Sequence, residues 1–540
     1  MRRLAITLSF GMGLLSLSQE IAWVRLVSFG HEGRPHAFAI VLVAFLLGIA
    51  VGALLGGRHC RGDRPLLPVV ARILALAAVV DLGALWLAPW LMTSEPTAEL
   101  AMLAPFLINR EADALWPLLA LMLLIGGCAA VKGMLFPIIH HLGSQSSQDG
   151  IGRSVSRVYV ANVLGSALGP VLTGFVLLDV LTVDQVFVAV SLGAAALALL
   201  VTLQERPAPS ATAWRLPVVA VALGLLNLLY PAASLETIAR LGGGTLRHLI
   251  QNKHGVVHVL AASDGGDITL GNNVYDGRLN VDMRINSNRL DRGYLLATLH
   301  PRPARVLVIG LSTGAWTQAL AGMPGVERVD VVEINPAYLE LVQRYPEVSA
   351  ILKDPRVHIH IDDGRRWLKR HASERFDLVV MNTTFHWRAY VSLLLSTEYM
   401  QLVRSRLAPG GIFAFNTTSS LDAMLTASQV FADVVRYQNF AYASDRTMAK
   451  LPDALQRLQA SRLPGGPAFA AELFAPGKIA EQLAHAPLER AGDYLARSQR
   501  PGAPPPEVIT DLNLLTEYRH GRPPLRGRLQ AWLPPTPLPP

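Results

Sequence analysis

The chain has 540 residues, of which 51% are hydrophobic and only 16% charged, against about 25% charged in soluble domains, and its mean hydropathy of +0.34 points to a membrane protein. A formal charge of +8 would suit nucleic acid, but the basic residues are scattered, and neither an aromatic-interleaved basic stripe nor a zinc spacing accompanies them, which argues against that partner. Two cysteines, Cys60 and Cys128, rule out a disulfide framework, and neither suggests a metal site.

Met1-Arg-Arg and the apolar run behind it open like a secretory signal, yet the run carries Gln19 and Glu20 and lacks a small-residue cleavage pattern, so a retained first helix is expected. Apolar spans are predicted near 4–24, 36–57, 66–93, 114–138, 158–178, 184–203 and 216–232, each close to the ~20 residues that cross hydrocarbon. They make residues 1–235 a helical membrane region of about seven spans. Glycine and alanine are dense at 48–57 and 165–169, which predicts close helix contact in a bundle. Glu20, Arg25, Arg72, Asp81 and Lys132 lie in or beside spans and should snorkel or pair internally. Arg58, Arg61 and Arg64 mark one loop as cytoplasmic, as do Arg153 with Arg157 and Arg206 with Arg215, while Glu95 and Glu99 sit in an opposite loop. That bias puts the N-terminus inside, so that a seventh crossing delivers the rest of the chain outside.

Past Ala233 turn residues and charge appear, and a globular domain is expected over 236–445. Leu249–Leu260 and Ile268–Arg284 read as short strands, with turns at Asp264-Gly-Gly and Asp276-Gly. From Val306 strands and helices alternate to Asn416, the pattern of a mainly parallel sheet with its ligand at the carboxyl ends of the strands. Arg305-Val-Leu-Val-Ile-Gly-Leu-Ser-Thr-Gly314, followed by a strand closing on Glu333, has the form of a nucleotide-binding βαβ unit, in which glycines admit the ligand and the acid accepts ribose hydroxyls. Residues 446–540 should hold helices near Leu451–Ser461 and Lys478–Ala496, a proline-rich linker at 501–506 and a disordered proline-rich tail. His358 and His360 alternate on one strand, but no further ligands follow at a metal-binding spacing.

Asp276-Gly277 with Asn280, Gly310 with Gly314, Glu333, Asp363-Gly364, Phe376-Asp377 and Leu407-x-x-Gly410-Gly411 together resemble the polyamine aminopropyltransferases exemplified by spermidine synthase, in the subgroup fused behind a multi-span membrane region. The resemblance implies a Rossmann-like α/β domain with a leading β-hairpin layer. It also implies S-adenosylmethionine or its decarboxylated form as co-substrate, with no permanent cofactor. Gly310, Thr313, Gly314, Glu333, Asp363 and Gly364 would then hold the donor, Glu333 at the ribose and Asp363 at the adenine amino group. A carboxylate suits both tasks, since it only accepts hydrogen bonds. The competing role of Asp363 is a helix cap, with Asp362 as its rival.

The departures bear on the acceptor. The family's glycine turn carries an aspartate where this chain has Thr313, and its fourth strand ends in Asp-Ser-Ser-Asp where this chain has Asn382-Thr383-Thr384-Phe385. The diamine-binding acids are thus replaced, and an ammonium without a counter-ion is costly in a pocket. Asp291 or Glu398 would have to substitute. Asp276, Asn280, Arg388 and Trp387 are candidates for substrate binding. Arg388 suits a carboxylate or phosphate, and Trp316 and Trp387 could face a sulfonium. His386, Asn382 and Tyr390 are the catalytic candidates, His386 as the general base whose unperturbed pKa lies near neutrality.

The expected function is transfer from an adenosyl-sulfonium donor to an amine. Methyl transfer or lyase chemistry is the enzymatic alternative, and a non-catalytic adenosyl sensor coupled to a transporter-like bundle is the other. The partners are then a small-molecule substrate and the membrane, with a homodimer through the soluble domain compatible with both. Because the donor is made in the cytosol, the domain is expected on the cytoplasmic face of a bacterial inner membrane, against the loop-charge count.

Overall fold

The computed structural model describes residues 1–61, 65–93, 115–144, 151–205, 209–240, 244–263, 265–383, 385–462, 478–499, 501–514 and 516–519. Arg64, Glu95, Glu99, Arg206, Asp264, Thr384 and the proline-rich tail fall outside them. The described residues divide into two compact units, 1–240 with 251–256, and 244–250 with 257–519.

In the first unit seven helical segments among the described residues are long and apolar enough to cross a membrane. Their helices are α1 (Arg2–Gly30), α2 (His36–Gly57), α3 (Leu66–Thr93), α4 (Leu115–Gly133), α5 (Ile151–Leu172), α6 (Val183–Thr202) and α7 (Ala211–Leu229). The predicted small-residue contacts are present. A Cβ on Gly48, Gly52 or Gly56 of α2 would overlap backbone carbonyls at Gly126, Ala130 and Met134, and one on Gly165 or Gly169 of α5 would meet those of Phe10 and Leu14 in α1. Between helices that gain nothing from hiding apolar surface in lipid, this backbone approach supplies the packing. Large apolar side chains point outward, with Leu54 76% and Leu123 73% exposed. Two of the charges within these candidate spans pair inward, while Arg72 is exposed. Lys132 on α4 lies 2.6 Å from Asp81 on α3, both buried, and also donates to Gln19 on α1.

Past residue 244 comes a four-stranded sheet, β1 (Leu246–Asn252), β2 (Gly255–Leu260), β3 (Ile268–Gly271) and β4 (Val274–Arg278), in that order. Its β3–β4 reversal is at Asn272-Asn273, both at positive φ, and not at the predicted Asp276-Gly277, which lies inside β4. A two-residue hairpin loop needs left-handed backbone at both positions, which asparagine tolerates.

An eight-stranded sheet follows: β5 (Arg305–Ile309), β6 (Arg328–Glu333), β7 (Val357–Ile361), β8 (Phe376–Met381), β9 (Leu407–Asn416), β10 (Asp433–Tyr437), β11 (Phe440–Ser444) and β12 (Glu489–Arg490), in the order β12-β10-β11-β9-β8-β5-β6-β7. The run β7-β6-β5-β8-β9 is parallel, and β10, β11 and β12 extend it antiparallel. Alternation along the strands feeds two cores, Val306 and Val308 packing on one face and Leu307 and Ile309 on the other. From β5 the chain builds outward to β6 and β7, then returns to place β8 on the other flank of β5. The carboxyl ends of β5 and β8 therefore border the crevice where strand order reverses, the usual ligand position of such sheets. The helix predicted over Lys478–Ala496 is two helices, Lys478–His485 and Ala491–Ser498. Pro487 interrupts them, and Glu489–Arg490 pairs with β10.

Candidate active site

A cleft of about 1110 Å³ opens at that crevice, above the ~300–1,000 Å³ typical of small-molecule sites. One wall is the turn after β5, with Gly310 (φ 93), Ser312 (φ 49) and Gly314 (φ 76) all at positive φ. Gly310 and Thr313 line the cleft, whereas Gly314 begins the helix Ala315–Ala321 behind it. Strand β4 presses on this turn. Ser312 donates to the Asp276 carbonyl at 2.7 Å, and a Cβ on Gly277 (φ 147) would lie 3.2–3.3 Å from Asn288, Ser312 and Thr313.

Glu333, at the end of β6, is 4% exposed. Its carboxylate accepts the backbone N–H groups of Leu311 at 2.7 Å and Asn335 at 2.8 Å, tying the β5 turn to the β6 turn. A carboxylate has about four acceptor positions, so the backbone N–H groups of Leu311, Asn335 and Ser312 leave acceptor capacity for a ligand. Burial pushes its pKa up to about 7, with the charge of Asp276 adding, against the backbone N–H groups of Asn335 and Leu311. Asp363 lines the cleft and also caps the helix Gly364–Arg370, accepting from Arg366 N at 2.7 Å. Its neighbour Asp362 pairs with Arg366 and Arg370 and does not line the cleft.

The loop after β8 differs from expectation. Phe385 adopts φ 62 and turns the chain, so that Phe385, Arg388 and Tyr390 line the cleft while His386 and Trp387 do not. His386, 4% exposed, packs edge-on to Trp387 at 5.3 Å, which removes it from the position of a general base. Tyr390 stands at the rim, 72% exposed. Arg388 is already engaged, pairing with Asp276 at 3.0 Å and donating to the Gly271 carbonyl, and Tyr338 donates to the other Asp276 oxygen. Asn280 is held outside the lining by Ser287 and Asp282 N. Trp316 lines the cleft, but its ring stacks on Phe440 at 5.0 Å and lies under Arg292.

Neither proposed replacement acid reaches the cleft. Asp291 accepts from Asn286, Tyr437 and Gln438, and Glu398 accepts from Asp511 N. Sequence reading missed Asn416, Asn439, Arg289 and Arg292, all lining residues, because their positions depend on strand pairing and on one irregular turn. Late in the chain, Asp511 holds Arg365 and Glu517 holds Ser392.

Comparison with known proteins matches residues 295–456 to the spermine/spermidine synthase domain. The polyamine aminopropyltransferase of Mycobacterium tuberculosis (strain CDC 1551 / Oshkosh) is 25% identical over 520 residues, covering 94% of each chain. That of Agathobacter rectalis is 37% identical over 87 residues, 16% of this chain and 30% of its own. A spermidine synthase crystallised with the transition state analogue AdoDATO aligns at 17% identity over 44% of this chain and 88% of its own, with a TM-score of 0.34. Glu333, Asp363 and the Gly310 turn all lie within the matched residues, while Asp276 and β4 precede them.

Proposed function

We propose that this protein is a membrane-anchored transferase that moves an alkyl group from an adenosyl-sulfonium donor to an amine, the reaction class of the polyamine aminopropyltransferases it resembles. The observation that carries this reading is the cleft itself, walled by the glycine turn, Glu333 and Asp363 at the strand-order reversal of the matched domain. Glu333 would take the ribose hydroxyls on its remaining acceptor capacity, and Asp363 the adenine amino group. In the reaction the amine nitrogen attacks the carbon beside the sulfonium and the C–S bond breaks with its electrons to sulfur. A neutral thioether leaves, and the nitrogen gives up a proton. Little general catalysis is needed beyond alignment, because the electrophile is already activated and positioning supplies much of the rate. With decarboxylated S-adenosylmethionine the leaving thioether is methylthioadenosine; methyl transfer from S-adenosylmethionine would leave S-adenosylhomocysteine instead.

The domain acts on the cytoplasmic side, where the donor is made, with residues 1–235 as the anchor.

Product analysis tests the reading. Purified full-length protein in detergent, incubated with each donor and a panel of amines, should form a free nucleoside thioether. Glu333→Ala should abolish both that product and donor binding. Normal donor binding by Glu333→Ala would overturn the assignment, and binding without turnover would favour a sensor.

A further inference from the structure

The acceptor side of the cleft carries a ladder of side-chain amides whose direction is fixed by its first rung. Arg292 donates from Nη1 to Asn439 Oδ1 at 2.5 Å, Asn439 Nδ2 donates to Asn416 Oδ1 at 3.0 Å, and Asn416 Nδ2 donates to Asn382 Oδ1 at 3.1 Å. An arginine has no acceptor, so Asn439 must turn its oxygen to it, and each later amide must follow. Thr418 N, donating to Asn416 Oδ1 at 2.8 Å, locks the middle rung independently. Asn382, which lines the cleft at the end of β8, therefore has one lone pair of its Oδ1 engaged by Asn416 and its Nδ2 turned away from the ladder as a donor for a ligand.

The cations of the cleft point the same way. Arg365, Arg388 and Arg436 are paired with Asp511, Asp276 and Glu489. Arg289 lines the cleft in left-handed backbone (φ 52) and has no ion pair among the described residues. Its carbonyl is gripped by Arg292 Nε, the arginine that starts the ladder. Of the three carboxylates in the lining, Asp276 is neutralised by Arg388, Glu333 ties the two turns and Asp363 caps a helix.

We propose that this end of the cleft binds a carboxylate, held by the Arg289 guanidinium and the Asn382 amide N–H, so that the substrate pair of this enzyme carries an acid group where a polyamine pair carries an ammonium. Guanidinium and amide donors both match a carboxylate and both repel an ammonium. The carboxylate belongs either to the donor, as intact S-adenosylmethionine, or to the acceptor, as an amino acid. The inference rests on the nucleoside reading of the cleft.

The test is equilibrium binding to the full-length protein in detergent, with methylthioadenosine as the probe that lacks any carboxylate. If the donor carries the acid, S-adenosylmethionine should bind about tenfold or more tighter than its decarboxylated form. If the acceptor carries it, 4-aminobutyrate should outbind 1,4-diaminobutane on the methylthioadenosine complex by a similar factor. In either arm Arg289→Met should remove the preference while methylthioadenosine binds as before, and Asn382→Asp should reverse it. Methylthioadenosine binding with no preference in either arm, or a preference untouched by Arg289→Met, overturns the carboxylate site and leaves the nucleoside reading standing. Failure of the wild-type protein to bind methylthioadenosine overturns both.

Discussion

Arg388 reaches from the loop after β8 to Asp276 on β4, closing a 3.0 Å ion pair across the cleft, with Tyr338 bonded to the same carboxylate. The pair joins two segments that are distant in sequence, and both partners are largely withdrawn from water. Arg388→Ala should therefore lower the unfolding midpoint, at a cost of about 1–3 kcal/mol for a carboxylate left without its charged partner. Arg388→Ala combined with Asp276→Asn should recover part of that loss in differential scanning calorimetry. Additive losses would mean that the two side chains act independently.

The elevated pKa of Glu333 gives the proposed nucleoside binding a pH dependence of definite sign. Below about 7 the folded protein carries this carboxyl protonated, and above it ionised. The ionised form is the better acceptor for ribose hydroxyls, so methylthioadenosine affinity should rise as pH passes upward through about 7. Glu333→Gln should bind more weakly and flatten the curve. For stability the sign is opposite. A carboxyl whose folded pKa lies above its unfolded value of about 4.3 makes folding less favourable as pH climbs from there towards 7.

Two glycines should respond in opposite ways to alanine. At Gly277 the backbone is at φ 147 and three neighbouring side chains stand 3.2–3.3 Å from the new methyl, so Gly277→Ala should lose about 1–3 kcal/mol through strain and weaken nucleoside binding by displacing the β5 turn. At Gly492, in a helix with nothing within 4 Å, Gly492→Ala should be neutral or stabilising by up to about 1 kcal/mol. Thermal melts with and without methylthioadenosine check both.

The Lys132–Asp81 pair is the charged link between α3 and α4. Lys132→Met should strand a buried carboxylate and cost roughly 3–5 kcal/mol, whereas Lys132→Met with Asp81→Leu should restore much of it. Heat-inactivation midpoints in detergent distinguish the two. Equal loss in both variants would assign the pair a role other than cancelling charge.

Topology is decided by reporter fusions. With the domain in the cytoplasm, a fusion following Ala233 should be active with a cytoplasmic reporter and silent with an exported one. The first and last candidate spans, α1 and α7, are both long and apolar enough to cross. If all seven segments cross, the N-terminus lies on the face opposite the domain, and a fusion at Met1 should report the reverse.

Period and composition were enough to find the spans and the parallel strands, because apolar length and alternation are local properties. The Gly310 turn and Glu333 were also legible, since a βαβ unit spaces them by about one strand and one helix. The loop after β8 was not. His386 and Arg388 have the residue types of a base and an anion clamp, but one left-handed residue, Phe385, decides which of them meets the cleft. The amide ladder was invisible for a different reason, since Asn382, Asn416 and Asn439 converge only through the pairing of β8, β9 and β11.

Neutral amides, unlike carboxylates, do not titrate anywhere near physiological conditions. With Asn382 at the tip of the ladder, the polarity of that half of the cleft is therefore set permanently and will not fade as the surroundings acidify. Sensitivity to acid is left to Glu333, so under the proposed reading a falling pH would change how firmly the donor is held without changing which chemical partner is admitted.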